Sequence, residues 1–457
     1  GVNSKDDLVV TGGTLTVTAK EDGLRGKDCV KIADGSFTVT AGRDGVKSSN
    51  DEDPTRGFVS IDGGTFAMDV QDDGVQAATY LRITGGEGTV KAADHALRSE
   101  VEAAMTGGAF TVEAGGKGMN PETRFTLDGG TLNVTGSDEG IEAEEVIVND
   151  GELNIVASDD GINAAVAERP ELPEGAEEGQ MPQRPEGDPG TEGAMPQGGR
   201  GGMGGAGGPV AANASEDCLI QINGGMVTVD AGGDGLDSNG YVEVNGGVVL
   251  ASGSAGGGDS ALDYEYGAKI TGGAVILAGA TGMAETFTEG TQPFAMVAAE
   301  GAAGTNLAVT DEAGTVLVSY TVPKAFQCAV VSAPGLTEGA TGKVIVGGTV
   351  TGADSAGYAT GAAVEGGTTV DFTASTTPSN EVGRMDGGDG GRRGGGPCGG
   401  GARDAQGNAT EGEGATAGEQ NGTAPQQGQN TGADQQGTSG QGQQSASAQT
   451  PQPEVVA

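Results

Sequence analysis

Apolar and polar residues alternate strictly over short stretches of this chain, and the stretches return at a fixed interval. Leu15 and Val17, Phe37 and Val39, Phe66 and Met68, Phe110 and Val112, Leu132 and Val134, and Leu153 and Ile155 each flank one polar or small residue. Thr16, Thr38 and Asn133 are such intervening positions. A period of two makes a strand with one buried and one wet face. A second strand precedes each of these, as at Leu8 and Val10, Val30 and Ile32, Val59 and Ile61, Leu81 and Ile83, Val146 and Val148, and Val242 and Val244. A glycine divides the two strands at Gly13, Gly35, Gly64, Gly86, Gly108, Gly130, Gly151, Gly225, Gly247 and Gly273. These glycines are 21 or 22 residues apart, except for longer steps after Gly35, Gly151 and Gly247.

A shared period of this length is the mark of a solenoid. Two strands per coil, always in one chain direction, stack as parallel sheets ~4.8 Å apart. The handedness rule for parallel crossovers makes the coil right-handed. Val, Thr and Gly dominate and no period of 3.6 is present, which disfavours a helical solenoid. The expected fold is therefore all-β, a right-handed single-stranded parallel β-helix of about 22 residues per coil.

The period predicts a β-helix over residues 1–283. Residues 167–215 are rich in Pro, Glu, Gly and Met and show no alternation, which predicts a disordered insertion. Strands at 306–310, 315–322, 327–332 and 343–346 fall outside the register, so 284–375 reads as a small β module capping the C-terminal end. Residues 376–457 carry few apolar groups and read as a disordered low-complexity tail. Residues 1–7 superimpose on 23–29 one period later, so the sequence opens in mid-coil. The expectation is that N-terminal coils, a cap and any signal peptide precede it.

Composition narrows the function. Of 457 residues, 91 are Gly and none is Trp, so the core has to be built from thin layers of small and β-branched side chains. There are 65 acidic and 23 basic residues, a net charge of −42, which excludes nucleic acid as a partner because phosphate binding needs clustered Lys and Arg. No apolar run of ~18 residues is present to span a membrane as a helix. Cys29, Cys218, Cys328 and Cys398 show no CxxC spacing, so neither a disulfide framework nor a zinc site is expected. The expected state is a monomer.

A second repeated feature is an Asp-Gly turn, at Asp22, Asp44, Asp73, Asp160 and Asp234, with Asp94, Glu139 and Asp259 at related positions and Lys117 breaking the series. One such turn alone is explained by positive φ. Stacked turns place carboxylates ~5 Å apart, where like charges repel by ~1 kcal/mol in water and several times more near a protein. A calcium ion between rungs relieves this, because it takes oxygen ligands at ~2.3–2.6 Å. Further oxygen ligands are expected from Asn50, Asp51 and Asp53 in the first insertion, from Asp159 and Asn163, and from Asp237. Soft metals lack ligands, since His95 is the single histidine and a turn histidine is expected at the surface.

The coils resemble a bacterial family of extracellular carbohydrate-binding parallel β-helix proteins that bind cellulose and pectic polysaccharides. The residues that carry the resemblance are 22–28 (DGLRGKD), 44–51 (DGVKSSND), 139–142 (EGIE), 158–164 (SDDGINA), 233–239 (GDGLDSN), 260–264 (SALDY) and 281–283 (TGM). The likeness covers about residues 1–345, and it departs from the pattern at His95 and Lys117. It implies a secreted or cell-surface protein with calcium in its turns that binds polysaccharide without cleaving it. A protein this acidic would repel an acidic glycan unless a divalent ion lay between the two sets of carboxylates. Arg25, Lys47, Tyr80, Tyr241 and Tyr264 are the residues expected to meet the sugar. The competing readings are a calcium-dependent pectate-type lyase, with Arg25 or Lys47 as base, and a structural surface adhesin. An ice-binding threonine ladder is disfavoured because Ala67, Ala109, Glu152 and Asn154 interrupt it.

Overall fold

The computed structural model describes residues 1–166, 213–256 and 258–378. The insertion and the tail expected from the sequence lie outside these residues but for a few flanking positions. Among the described residues every element is a β-strand. Thr14–Ala19 pairs in parallel with Ser36–Ala41, residue for residue one coil later. The register holds across the long insertion, where Glu152 stands against Met226, and reaches Val248 against Ala274. The chain is a parallel β-solenoid of about 22 residues per turn.

Each coil has three strands rather than the two expected. The additional one is three residues long, as at Leu24–Gly26, Val46–Ser48 and Val75–Ala77, and joins a ten-stranded parallel sheet. It follows the Asp-Gly turn, and three residues are too few to display a period of two. In the central coils the two longer strands run through the bend as one, over Glu102–Ala114, Arg124–Gly136 and Glu145–Ala157.

The inward columns form one continuous core from Val17 to Leu277. Each fully buried Val, Leu or Ile contributes ~1.5–3 kcal/mol, so stability accumulates layer by layer. Phe37 and Phe66 stack with centroids 4.9 Å apart, and Phe110 reaches Phe66 at 5.8 Å although Gly88 lies between them in the register. A Cβ on Gly88 would meet Phe66 O at 2.3 Å, so only glycine lets the rings close over that rung.

Two sets of glycine serve different ends. Those dividing the long strands have positive φ, for example Gly64 at 98° and Gly86 at 88°. Those of the Asp-Gly turns do not. A Cβ on Gly23 would lie 2.6 Å from Gly45 O, and one on Gly45 would lie 2.5 Å from Gly74 O. The explanation by positive φ is thus corrected: these turns need glycine because consecutive rungs touch.

Beyond the last regular coil, Phe326–Ser332 pairs antiparallel with Ala274–Gly279 and with Phe294–Gly301. Thr305–Thr310, Val316–Val322, Thr341–Val346 and Thr368–Thr373 form a separate antiparallel sheet. This C-terminal region packs on Ala278 and on Leu250 and Ile276, which are apolar in an outward column that carries Asn154 and Thr228 on the preceding rungs.

Candidate functional site

One corner of the solenoid gathers the chemistry. The N–H following each turn residue donates to the carbonyl of the turn residue one coil on: Gly23 to Asp44, Gly45 to Asp73, Gly74 to His95, Ala96 to Lys117, Gly118 to Glu139, Gly140 to Asp160, Gly161 to Asp234, and Gly235 to Ser260. The column therefore reads Asp22, Asp44, Asp73, His95, Lys117, Glu139, Asp160, Asp234, Ser260. The sequence placed Asp94 and Asp259 in this series, one residue too early. Asp94 instead stacks between Asp72 and Gly116.

A second column stands beside it on the short strands, three residues further along each coil. It runs Arg25, Lys47, Gln76, Arg98, Asn120, Glu142, Asn163, Asp237, Asp263. The paired columns carry three zones of charge along the axis.

In the first zone each acid has a cation of its own. Arg25 Nη1 lies 3.4 Å from Asp22 Oδ2, and Lys47 Nζ lies 2.5 Å from the fully buried Asp44 carboxylate. Asp44 also accepts the Asp73 N–H at 3.2 Å. Asp22 and Asp44 thus each have a protein cation beside them, while Asp22 Oδ1 is buried without a hydrogen-bond partner and Asp44, Asp72 and Asp73 lie close enough together to surround a metal.

The insertion after Ser48 lies at a different corner. Asn50 Nδ2 donates to Asp28 at 2.7 Å, and Asn50 Oδ1 accepts the Glu52 and Asp53 N–H groups. Asp53 caps Thr55 and faces Arg56 at 3.4 Å, while Asp51 is exposed. Asn50, Asp51 and Asp53 thus shape a loop and do not extend the acidic column.

The middle zone holds His95, Arg98, Lys117, Glu139 and Glu142. Lys117 Nζ lies 3.1 Å from Glu139 and 2.6 Å from Glu142. Burial and the Glu142 carboxyl raise Glu139 to about 7, while hydrogen bonds from Glu139 and Lys117 outweigh burial and lower Glu142. Glu139 therefore holds a proton more tightly than Glu142 does. His95 is mostly buried rather than a surface residue, and desolvation lowers its pKa. Its Nδ1 accepts the Lys117 N–H at 3.0 Å, which leaves the proton on Nε2 facing Asp94 at 3.5 Å. Asp73, Asp94 and His95 come close enough to surround a metal, but that tautomer turns an N–H, not a lone pair, toward the acids. Burial raises Asp73 to about 7.

Arg98 differs from the other cations. It forms no ion pair among the described residues, and its Nε is buried without a hydrogen-bond partner.

The third zone is all oxygen. Asp160 Oδ1 accepts the Asp234 N–H at 2.7 Å, and Asp234 accepts the Ser260 N–H. Asn163, Asp237 and Asp263 are successive members of the second column. Asp159 lines the same cleft. Burial raises Asp234 to about 8, and burial followed by the charges of Asp160, Asp234 and Asp263 raises Asp237 to about 9. Burial also raises Asp263 and takes Glu285 to about 8. Asn163 Oδ1 is buried with no partner. The donor set is carboxylate and amide oxygen with an orphaned acceptor and, among the described residues, no cation paired to Asp234, Asp237 or Asp263, which suits a hard divalent ion such as calcium. The middle and third zones open into one cleft of about 740 Å³.

The tyrosines separate sharply. Tyr264 packs against the core and donates its hydroxyl to Thr286 O at 2.7 Å, which corrects its assignment to sugar contact. Tyr80 is half-buried on another strand, in register with Glu102. Tyr241 is 38% exposed and stacks on Tyr266, 37% exposed, with centroids 5.4 Å apart. Tyr241 follows Asn239, which lines the cleft, by two residues.

Sequence reasoning missed Arg98, Asp263 and Tyr266 as site residues. Arg98 was signalled by the coil period, since it follows Gln76 by 22 residues just as Lys47 follows Arg25.

A family model described as "Carbohydrate-binding domain-containing protein" matches residues 1–169. That span contains the first two zones and reaches Asp160 and Asn163. No curated protein matches, and no solved structure matches.

Proposed function

We propose that the chain binds an acidic polysaccharide of the pectic class in the cleft, without cleaving it, and that binding depends on calcium. Carbohydrate binding is what the family match over residues 1–169 supports. The observation that carries the finer reading is the division of the cleft, among the described residues, into a guanidinium without an ion pair, Arg98, and an oxygen cluster at Asn163, Asp234 and Asp237 to which no cation is paired.

A sugar carboxylate is drawn to Arg98 by a charge-assisted hydrogen bond that no protein acid satisfies. Asp160, Asp234, Asp237 and Asn163 would hold calcium, whose positive charge offsets the repulsion between a −42 protein and a polyanion. The Tyr241–Tyr266 stack offers an apolar platform round the corner from the cleft. Binding of cellulose by the same platform is a weaker extension, since the aromatic surface is small.

A lyase needs a base with a lowered pKa. Arg25 and Lys47 are held in ion pairs, Glu142 and Glu139 outweigh burial and raise Lys117, and His95, which burial lowers, already accepts the Lys117 N–H on Nδ1. This favours binding over elimination. The proposed setting is extracellular or at a cell surface, where calcium and glycans meet.

Calorimetric titration of calcium, with and without oligogalacturonate, tests the reading. The expected result is sugar binding that appears with calcium. Equal binding in chelator would sink it.

A further inference from the structure

A second concave site lies away from the charged corner, where the long outward face meets the C-terminal region. One outward column runs Thr89, Thr111, Asn133, Asn154, Thr228 and then Leu250. Leu250 is fully buried under that region, while Asn133, Asn154 and Thr228 remain partly open. The step between them is a groove of about 460 Å³, walled on one side by Tyr320, Thr321 and Pro323.

The wall is fixed in place. Tyr320 is buried and donates its hydroxyl to Val229 O at 3.2 Å. Lys324 reaches back to pair with Asp230 and donates to Ala231 O at 2.6 Å. That pairing also neutralises Asp230, the one charged residue lining the groove.

What remains is uncharged and unsatisfied. Thr228 Oγ1 is buried with no hydrogen-bond partner. Asn154 Nδ2 is spent on Asn133 Oδ1 at 2.8 Å and Glu152 Oε1 at 2.9 Å. Asn154 Oδ1 and Asn133 Nδ2 form no hydrogen bond among the described residues. Val156 and Pro323 supply apolar surface beside these groups.

We infer that this groove is a second carbohydrate subsite, for an uncharged, unbranched glycan lying along the solenoid axis with one end against the Tyr320–Pro323 wall. A charged glycan finds no counter-ion here, because Asp230 and Lys324 satisfy each other. A peptide strand needs a sheet edge for its amides, and this groove lies over a sheet face. Sugar hydroxyls donate and accept, which matches an isolated hydroxyl and the two spare amide atoms, and their C–H faces suit the apolar part. The column repeats every ~4.8 Å, close to the advance of one pyranose in a straight β-linked chain. The subsite goes beyond the proposed cleft and owes nothing to calcium.

Titrating the full chain with xylohexaose in EDTA tests this directly. Binding is expected with and without calcium. Thr228→Val, which keeps the shape and removes the hydroxyl, and Asn154→Ala should each weaken it about fivefold, the worth of one neutral hydrogen bond. Far-ultraviolet circular dichroism confirms that each variant is folded, and amide exchange should slow at Tyr320 to Val322 on binding. No binding of the hexasaccharide, binding that EDTA abolishes, or binding unchanged in both variants would overturn the inference. Since the cleft is probed with galacturonate and calcium, either site can fail without the other.

Discussion

Lys47 holds its ammonium 2.5 Å from Asp44, a carboxylate with no solvent exposure, and so takes the place that an ion would occupy between stacked acids. The same coil geometry therefore has two solutions for its crowded carboxylates, a protein cation in the early coils and an unmatched oxygen cluster in the late ones. Lys47→Met removes the cation and leaves Asp44 buried with only the Asp73 N–H to offset its charge. Loss of one partner from a buried pair costs about 3 kcal/mol, read as a fall in the denaturation midpoint. Part of that loss should return on adding calcium, because the vacated column then resembles the Asp234 region. A midpoint unmoved by the substitution would show that the pair contributes nothing.

Arg98 stands in the same column as Arg25 and Lys47 but forms no ion pair among the described residues. Arg98→Ala should weaken oligogalacturonate binding about tenfold, in line with a hydrogen bond to a charged group. Calcium affinity should not fall, because Arg98 lies three rungs from Asn163. Arg25→Ala serves as the contrast and should leave sugar affinity unchanged. Equal losses in both variants, measured by calorimetry, would contradict the division of the corner into zones.

The late acids set a pH dependence of unusual sign. Asp234 and Asp237 are raised to about 8 and about 9, mainly by burial. Between pH 4 and pH 8 the folded chain then binds more protons than the unfolded chain, so stability falls as pH rises through that window. In EDTA the thermal midpoint should be lower at pH 8.5 than at pH 6. Calcium should restore it at the higher pH, with protons released on binding and tighter affinity as pH rises. A midpoint that rises with pH in chelator would mean these carboxylates are not buried against one another.

How much of this was legible in the sequence depends on what each residue has to satisfy. The coil length shows plainly because Leu15, Phe37, Phe66 and Phe110 answer to burial alone, and burial repeats with every turn. The stacking of the Asp-Gly turns follows from the same period. The members of the column are harder to read at Asp94-His95-Ala96, where no glycine marks the turn and the series slips by one residue. Which cation is spent and which is spare was not legible. Arg25 and Arg98 are alike in local sequence, and only the identity of the neighbouring column member, Asp22 or His95, distinguishes them. Tyr241 and Tyr264 likewise differ only in whether the coil turns the ring outward or onto the core.

The Asp-Gly glycines offer a test of the stacking itself. Gly45 has ordinary φ, yet a Cβ there would stand 2.5 Å from Gly74 O and 3.1 Å from Met68 Sδ. The methionine can give way, but the carbonyl cannot, because it is fixed by the Val46 N–H at 3.0 Å. Gly45→Ala must therefore push two rungs apart at the column of acids, and overpacking of this kind costs about 2 kcal/mol. Gly136 also has ordinary φ, and its nearest neighbour would be Glu113 Cγ at 4.0 Å, so Gly136→Ala should be neutral or slightly stabilising. If alanine is tolerated equally at both positions in urea denaturation, consecutive turns do not touch. The acids of neighbouring coils would then lie too far apart to compete for, or share, a counter-ion.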